Sequence, residues 1–242
     1  EGQLQQAEKM KAIGSLTAGV AHDLNNILSG LVGYPELLLM DLPNDDPKRK
    51  ALHVIKASGE KAAAVVQDLL TLARRGVATS EVMNLNECVA EYLASPVHAN
   101  LEVSNPTIKF SIQSIPNLFN IFASATHLSK VIMNLALNAA ESMPTGGEVI
   151  FKTENIYLDN DLKGYETIKR GEYVMLSISD TGIGISEEKL GMIFTPFYTN
   201  KNRGTGLGLA IVKNIIEEHN GSIDVQSERG EGTTFIITLP QK

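Results

Sequence analysis

Reactive side chains stand next to each other near the start of the chain, in the segment AHDLNNIL, residues 21–28. Apolar residues recur around this segment at steps of three and four, the period of a helix that buries one stripe. His22 falls outside that stripe and is followed by a carboxylate, Asp23. An exposed imidazole beside an acid can do chemistry because it changes charge near neutral pH. A solvated surface histidine is the alternative, and residues far downstream decide between the two.

Two asparagines in the segment KVIMNLALNAAESM are the first of these downstream residues. Asn134 and Asn138 lie four positions apart and therefore share one face of a predicted helix. An amide oxygen can be one of the few protein ligands of Mg²⁺, while phosphates and water supply the others. Two asparagines on a solvated helix face are the alternative, and this pair alone does not exclude it.

An acid and two glycines follow in the segment SISDTGIGIS. Asp180 stands at the end of a predicted strand and can accept hydrogen bonds from an amino group. Gly182 and Gly184 allow a sharp turn and a close approach of the backbone to a ligand. On its own, this segment is also typical of an ordinary loop.

Two adjacent segments have the composition of a phosphate-binding region. The first, IFTPFYTNKNRG, is apolar and then basic, which suits a mobile cover whose Lys201 and Arg203 meet phosphate oxygens. The second, GTGLGLAIVK at residues 204–213, is a glycine loop that runs into a predicted helix. Backbone amides at such a helix N-terminus form an anion site.

The histidine segment lies in a predicted helical hairpin. Residues 3–42 and 47–75 have the pattern of two long amphipathic helices, and the turn LPNDDP separates them. One hairpin leaves much of its apolar stripe uncovered, so we expect a second copy of the chain to cover it in a homodimeric four-helix bundle. The alternative is that the hairpin packs on the rest of the same chain.

The remaining segments predict a two-layer α/β sandwich, so the whole chain is an α+β protein with more than one domain. The polar stretch RRGVATSE, residues 74–81, marks a domain boundary and a hinge. Beyond it we expect helices at residues 85–93, 126–143 and 207–218 against one mixed sheet. The strands are predicted at residues 108–112, 120–123, 148–157, 172–179, 222–227 and 233–239.

Composition restricts the class of protein further. The 242 residues carry a net charge of −7, which gives no support for nucleic acid or an anionic membrane as a partner. The single cysteine, Cys88, excludes an internal disulfide and indicates a reducing, cytoplasmic compartment. No apolar run is long enough to span a membrane. Because the sequence starts in a charged helical pattern without Met, we expect a fragment of a longer protein, either membrane-anchored or soluble.

Together, five segments resemble the motifs of one family. AHDLNNIL, NLALNAAESM, DTGIGI, IFTPFYTNK and GTGLGLAI have the order and spacing of the H, N, G1, F and G2 boxes of sensor histidine kinases of two-component systems. The resemblance covers essentially the whole chain. It implies a dimerisation and histidine-phosphotransfer domain at residues 1–76. It also implies a catalytic ATP-binding domain of the Bergerat (GHKL) type at residues 77–242.

The resemblance implies roles for individual residues. By this comparison His22 would be the phosphoacceptor, and Asp23 would orient or deprotonate it, although many members have Glu there. Asn26 matches the position that holds a hydrolytic water in such kinases. Asn138 matches the Mg²⁺ ligand and Asp180 the carboxylate that reads adenine. The other positions expected around ATP are Asn134, Gly182, Gly184, Lys201, Gly204, Thr205, Gly206, Leu207 and Gly208.

The implied activity is that of an ATP-dependent protein-histidine autokinase. It would phosphorylate His22 and pass the phosphoryl group to an aspartate of a response-regulator receiver domain. ATPases of the same fold carry a glutamate at the position of Asn134 to activate water, so an asparagine there favours a kinase. Two alternatives stay open. One is a degenerate module that binds nucleotide and dimerises without turnover, and the other is mainly a phosphatase of the receiver that depends on Asn26.

The other four histidines have no metal-ligand spacing and are predicted to be structural. His219 ends the last predicted helix in the sequence EEHNG, where a cation would complement the helix dipole.

Overall fold

The computed structural model describes residues 24, 26–73, 79–159, 162–163, 167–200 and 204–242. The chain divides into two compact units, Glu1–Arg75 and Gly76–Lys242. Within the described ranges, no helix is both long enough and apolar enough to cross a membrane.

The first unit is a helical hairpin, as the sequence predicts. Helix α1 is described over residues 26–41, and helix α2 is Lys48–Ala73. Asp46 caps α2, because its Oδ1 accepts a hydrogen bond of 2.7 Å from the backbone N–H of Lys48. Arg49 then ties the two helices together, since its Nη1 donates to the carbonyl oxygens of Leu39 and Leu42, both at 2.8 Å.

The core of the hairpin is small. Leu28 of α1 packs with Val66 and Leu70 of α2, and alanines of α2 complete this cluster. Gly59 lets the helices approach closely, because a side-chain carbon at this position would lie 3.0 Å from Cγ2 of Val32. Many large apolar side chains of the hairpin stay exposed instead, namely Leu24, Ile27, Leu31, Tyr34, Leu37, Leu38, Met40, Val54 and Ile55. The hairpin therefore buries only part of its apolar surface.

The second unit mixes helices and strands. Its elements in chain order are β1 (Glu81–Asn84), α3 (Leu85–Leu93), α4 (Pro96–Ser104), β2 (Ile108–Ser114), β3 (Asn120–Ala123), α5 (Ala125–Glu141), β4 (Gly147–Leu158), β5 (Leu162–Lys163), β6 (Thr167–Ile168), β7 (Gly171–Asp180), α6 (Glu187–Leu190), α7 (Gly208–Glu218), β8 (Ser222–Glu228) and β9 (Gly232–Pro240). Five of the strands form one mixed sheet in the order β2-β4-β7-β9-β8. Strands β2 and β4 are parallel, and the other neighbours are antiparallel.

One face of this sheet carries the core. Alternate residues along the strands are apolar and buried, which is the period of a sheet that is covered on one side. On that face Phe151 of β4 pairs with Ile178 of β7, which pairs in turn with Phe235 of β9. Helices α3, α5 and α7 pack against the sheet and one another. This arrangement confirms the predicted two-layer α/β sandwich.

Several elements of the second unit differ from the sequence prediction, and the short strands β1, β5 and β6 were not predicted. Strand β3 does not join the main sheet but pairs with β1, and a single bridge from Ile121 to Gln241 links this ribbon to the end of the chain. Helix α4 was not predicted. It begins with Ser95, whose Oγ accepts from the backbone N–H of His98, and with Pro96 in its first turn.

Candidate functional site

Three polar side chains form a row along one face of α5. Asn134, Asn138 and Ser142 follow one another at steps of four residues, so the row extends over about 12 Å of helix. The neighbouring face of α5 is apolar and buried in the sandwich, with Leu128, Ile132 and Leu135 almost fully buried. The polar row therefore lies at the edge of the core, where its three residues are half-buried.

The C-terminal end of this row meets Asp180, the last residue of β7. Asp180 is 8% exposed, and its Oδ1 accepts two hydrogen bonds of 2.9 Å, from Oγ of Ser142 and from the backbone N–H of Gly182. The backbone N–H of Ile183 also donates to the carbonyl oxygen of Ser142 at 3.1 Å. The end of α5 and the turn after β7 are thus joined by side-chain and backbone hydrogen bonds.

The glycines of this turn are required by the packing of the chain itself. A side chain on Gly182 would overlap with Oγ of Ser142, and one on Gly184 would overlap with the backbone of Glu228. Gly184 also has a φ of 65°, a conformation that L side chains rarely adopt. The sequence interpretation explained these glycines by a ligand, whereas the structure supplies a reason within the protein.

The N-terminal end of the row meets the first turn of α7. A side-chain carbon on Gly208 would lie 3.5 Å from Oδ1 of Asn134, so the amide stands beside the start of that helix. Nδ2 of Asn134 is buried and has no hydrogen-bond partner. Unpaired backbone N–H groups and the helix dipole favour an anion at a helix N-terminus. A buried donor without a partner beside such a terminus is suited to an anionic ligand.

A backbone hydrogen bond connects the two ends of the loop that precedes α7. The backbone N–H of Phe197 donates to the carbonyl oxygen of Gly206 at 2.9 Å, and both residues have positive φ, 66° and 69°. A side-chain carbon on Gly206 would lie 2.5 Å from the carbonyl carbon of Phe197. These two residues therefore fix the ends of the loop that contains Lys201, although Lys201 itself lies outside the described residues.

Two histidines and a glutamate lie where the N-terminal end of α5 meets the C-terminal end of α7, away from the polar row. The rings of His127 and His219 meet edge to face with centroids 5.7 Å apart. Burial lowers the pKa of His127, and the nearby His219 and Lys130 lower this pKa further. Burial raises the pKa of Glu218, against the opposing effects of Asn214 and His219. Both shifts favour the neutral form of the group concerned.

The structure brings together most of the predicted nucleotide residues. Asn134 and Asn138 lie on one face of α5, and the C-cap of this helix, Ser142, contacts Asp180 of β7. The backbone of residues 204–208 lies at the start of α7, where Leu207 is fully buried. Asn26 is exposed on α1 in the other unit. His22 and Asp23 lie outside the described residues. Ser142 was missed, although its position four residues after Asn138 could have indicated it.

Two family models match the chain. Residues 12–77 match the model described as the His Kinase A (phospho-acceptor) domain. Residues 123–242 match the model described as the histidine kinase-, DNA gyrase B-, and HSP90-like ATPase.

The chain is also similar to individual proteins, by sequence in one case and by fold in two. The chain is 36% identical to sensor kinase CckA of Brucella abortus (strain 2308) over 247 residues, which is 100% of this chain and 25% of that protein. Full-length ShkA in complex with AMPPNP has a similar fold, with a TM-score of 0.73 and 22% identity over 94% of this chain and 46% of that one. The structure of a complex of the histidine kinase ThkA with the response regulator protein TrrA has a TM-score of 0.64 and 24% identity. This match covers 99% of this chain and 65% of that one. The chain thus spans only part of the length of the curated relative and of these structures.

Proposed function

Because the chain belongs to the sensor histidine kinases of two-component systems, we propose that it transfers the γ-phosphoryl group of ATP to His22 and then to an aspartate of a response-regulator receiver domain. In this proposal residues 1–76 form the dimerisation and phosphotransfer domain, and residues 77–242 form the catalytic ATP-binding domain. The matches of the two family models support this division.

The observation that carries the proposal is the row of Asn134, Asn138 and Ser142. One helix face connects an N-terminus that suits phosphates with a carboxylate that suits the amino group of adenine. ATP would lie along this row, with its base at Asp180 and its phosphates toward residues 204–208. The loop between Phe197 and Gly206 would cover the phosphates, and Lys201 is our candidate for a contact to them.

The residues present also fit a magnesium ion. Asn138 offers an amide oxygen, and no cluster of three or more acidic, histidine or cysteine side chains in the described part of the chain offers a dedicated metal site. This donor set suits an ion that takes one or two protein ligands and completes its shell with phosphate oxygens and water. When bound, Mg²⁺ would neutralise phosphate charge. Asn138 is our candidate ligand.

The residue at position 134 favours phosphoryl transfer to a protein over hydrolysis. A water molecule needs a base to attack phosphorus, and the amide of Asn134 is not a base. The nucleophile must therefore come from elsewhere. We assign this role to His22, whose neutral imidazole forms the new N–P bond while the bond from the γ-phosphorus to the leaving oxygen of ADP breaks. Asp23 would orient the ring or take its proton.

The exposed apolar side chains of the hairpin support a homodimer. In the described part of the hairpin, nine large apolar residues face solvent in the single chain, and an exposed apolar surface of this kind marks an interaction site. A second hairpin would bury them in a four-helix bundle. A receiver domain would then dock on the bundle near His22.

A phosphatase role toward the receiver is a second candidate, and the position of Asn26 favours it. Asn26 is exposed on α1, four residues after His22, so on a continuous helix both side chains face the same way. Its amide could hold a water molecule for attack on a phosphorylated receiver. Replacing Asn26 with Ala should then slow dephosphorylation of the receiver while phosphorylation of His22 continues. Unchanged dephosphorylation would argue against this role.

A pulse and chase tests the proposed function. The chain is incubated with γ-labelled ATP and Mg²⁺, cleared of nucleotide and mixed with a receiver domain. We expect label on the chain that is stable to alkali and labile to acid, and then its transfer to the receiver. The Asn138→Ala variant should acquire much less label. ATP binding without any labelling would favour the alternative, a nucleotide-binding module without turnover.

A further inference from the structure

Ser142 contacts the carboxylate that is proposed to read the base. Its Oγ lies 2.9 Å from Oδ1 of Asp180, and the two residues are 38 positions apart in the chain. The hydroxyl also lies 2.8 Å from the carbonyl oxygen of Ala139. A carboxylate oxygen and a carbonyl oxygen can only accept, so the single hydrogen of the hydroxyl is shared between these two acceptors.

A second donor reaches the same carboxylate oxygen from the other side. The backbone N–H of Gly182 donates to Oδ1 of Asp180 at 2.9 Å. Two donors on one oxygen restrict rotation of the carboxylate plane, and hydrogen bonds to an ionised acceptor are stronger than those between neutral groups. The direction in which the other oxygen of Asp180 accepts is thereby fixed.

Ser142 itself has little freedom to move. It caps the C-terminal end of α5, and its carbonyl oxygen accepts from the backbone N–H of Ile183 at 3.1 Å. Its hydroxyl also occupies the space that a side chain on Gly182 would need. Asn138, the candidate Mg²⁺ ligand, lies one turn earlier on the same helix face. Ser142 therefore lies between that residue and the Asp180 carboxylate, which is proposed to contact the base.

We propose that Ser142 is a positioning residue for recognition of the purine base, because it holds the Asp180 carboxylate in the orientation that accepts a hydrogen bond from the exocyclic amino group of adenine. This inference rests on the proposed function, in which Asp180 reads adenine. It assigns to Ser142 a role in base selectivity rather than in phosphoryl transfer. The ligand class favoured by this positioning is a purine nucleotide whose exocyclic amino group stands at the same ring position as in adenine.

Two nucleotides that differ in one group test this role. Binding of ATP and of purine riboside triphosphate, which lacks the exocyclic amino group, is measured by calorimetry with Mg²⁺ on the full chain and on Ser142→Ala. We expect the substitution to weaken ATP binding by about fivefold or more, the effect of losing one well-placed hydrogen bond. Binding of the analogue should change by less than about twofold, because no contact to an amino group exists to be lost.

A matched control removes the same kind of bond elsewhere in the unit. Oγ of Ser111 donates to Oε1 of Glu148 at 3.1 Å, so Ser111→Ala also deletes a serine–carboxylate hydrogen bond. This variant should bind both nucleotides like the unchanged chain. Ser142→Cys, which keeps the size of the side chain and weakens the donor, should show a smaller loss of ATP preference and covers the case in which the alanine variant does not fold.

The outcomes separate this inference from the proposed function. Equal weakening of both nucleotides by Ser142→Ala, or no weakening of either, would overturn the role of Ser142 and leave the kinase proposal standing, provided that the unchanged chain labels itself from ATP. An unchanged chain that binds ATP and the analogue equally would also overturn the role. An unchanged chain that binds neither nucleotide would overturn both proposals.

Discussion

The backbone N–H of Ser124 donates a hydrogen bond of 3.0 Å to Nε2 of His219, 95 residues further along the chain. A backbone amide can only donate, so Nε2 carries no hydrogen. Nδ1 therefore carries it and donates to the carbonyl oxygen of Ile215 at 2.7 Å. The neutral ring of His219 thus connects the N-cap of α5 to the last turn of α7, the two helices whose other parts form the candidate nucleotide site.

Replacing His219 with Phe should destabilise the second unit. An aromatic ring would still occupy the position, but the backbone N–H of the buried residue Ser124 would lose its partner. A buried donor without a partner costs about 1–3 kcal/mol, so the free energy of unfolding in denaturant should fall by that amount. The exposed His53 on α2 provides the control, because His53→Phe should change stability by less than about 0.5 kcal/mol. Equal effects of the two substitutions would refute this role of His219.

Replacing Asn134 with Leu should separate stability from nucleotide binding. Because Nδ2 of Asn134 is buried without a partner, its removal should leave the ligand-free chain as stable as before or more stable. Affinity for ATP should nevertheless fall, on the order of tenfold, if this donor meets a phosphate. Denaturant unfolding and calorimetry on the same preparation measure the two effects.

Asn155 is the matched control for that substitution. Both polar atoms of its amide are hydrogen-bonded, since Nδ2 donates to the carbonyl oxygen of Asn117 and Oδ1 accepts from the backbone N–H of Phe119, both at 2.9 Å. Asn155→Leu should therefore lower stability. If Asn134→Leu destabilises the ligand-free chain as strongly as Asn155→Leu does, then the amide of Asn134 has a structural role and our explanation fails.

Gly206→Ala should impair nucleotide binding more than a strained backbone alone explains. The added methyl would lie 2.5 Å from the backbone of Phe197, and φ is 69°. Gly230 also has a positive φ, 91°, but its added methyl would meet nothing within 4 Å. We expect a loss of ATP affinity of about tenfold or more for Gly206→Ala. For Gly230→Ala we expect only a loss of stability of about 1 kcal/mol. The same loss of ATP affinity in both variants would count against the structural role of the Phe197–Gly206 contact.

Stability should fall as the pH drops below the usual pKa of histidine. His98 is 2% exposed between the rings of Tyr92 and Phe110, and burial lowers its pKa from 6.5, which Glu102 only partly opposes. The unfolded chain therefore binds its proton at higher pH than the folded chain does. Unfolding is then favoured progressively below pH 6.5.

Unfolding in denaturant at about pH 8 and about pH 5.5 measures this dependence. The free energy of unfolding should be larger at the higher pH, and His98→Phe should reduce the difference. Because the pKa of His127 is also lowered in the folded chain, protonation of His127 likewise favours unfolding at low pH. Some of the pH dependence should therefore remain in His98→Phe. An unchanged difference in His98→Phe would show that His98 does not carry it.

Local sequence patterns predicted most of the helices and strands, because the pattern of such an element depends on residues that are close together in the chain. The apolar repeat of α5 and the alternation in β4 and β7 are visible within single segments, and both were found in the structure. Helix α4 was missed because its sequence, PVHANLEVS, has no clear apolar stripe and buries only His98. Its start was nevertheless visible in the pair Ser95 and Pro96.

Contacts between distant segments could not be predicted from the sequence. The expectation of a cation at His219 was wrong, because the acceptor role of Nε2 depends on Ser124 at the far end of another helix. The contact between Ser142 and Asp180 likewise crosses from a helix to a strand. Asn134, Asn138 and Asp180 were proposed from motifs, and the contacts that orient these residues became visible only in the fold.

The most direct measurement is labelling of the chain with γ-labelled ATP and Mg²⁺, for the unchanged sequence and for His22→Gln. We predict label that is stable to alkali, labile to acid and absent from the variant, because a phosphohistidine at His22 has these properties. Both proteins should bind ATP equally, since the proposed nucleotide site consists of residues of the second unit. Equal labelling of His22→Gln would contradict our account, because the acceptor would then be a different residue.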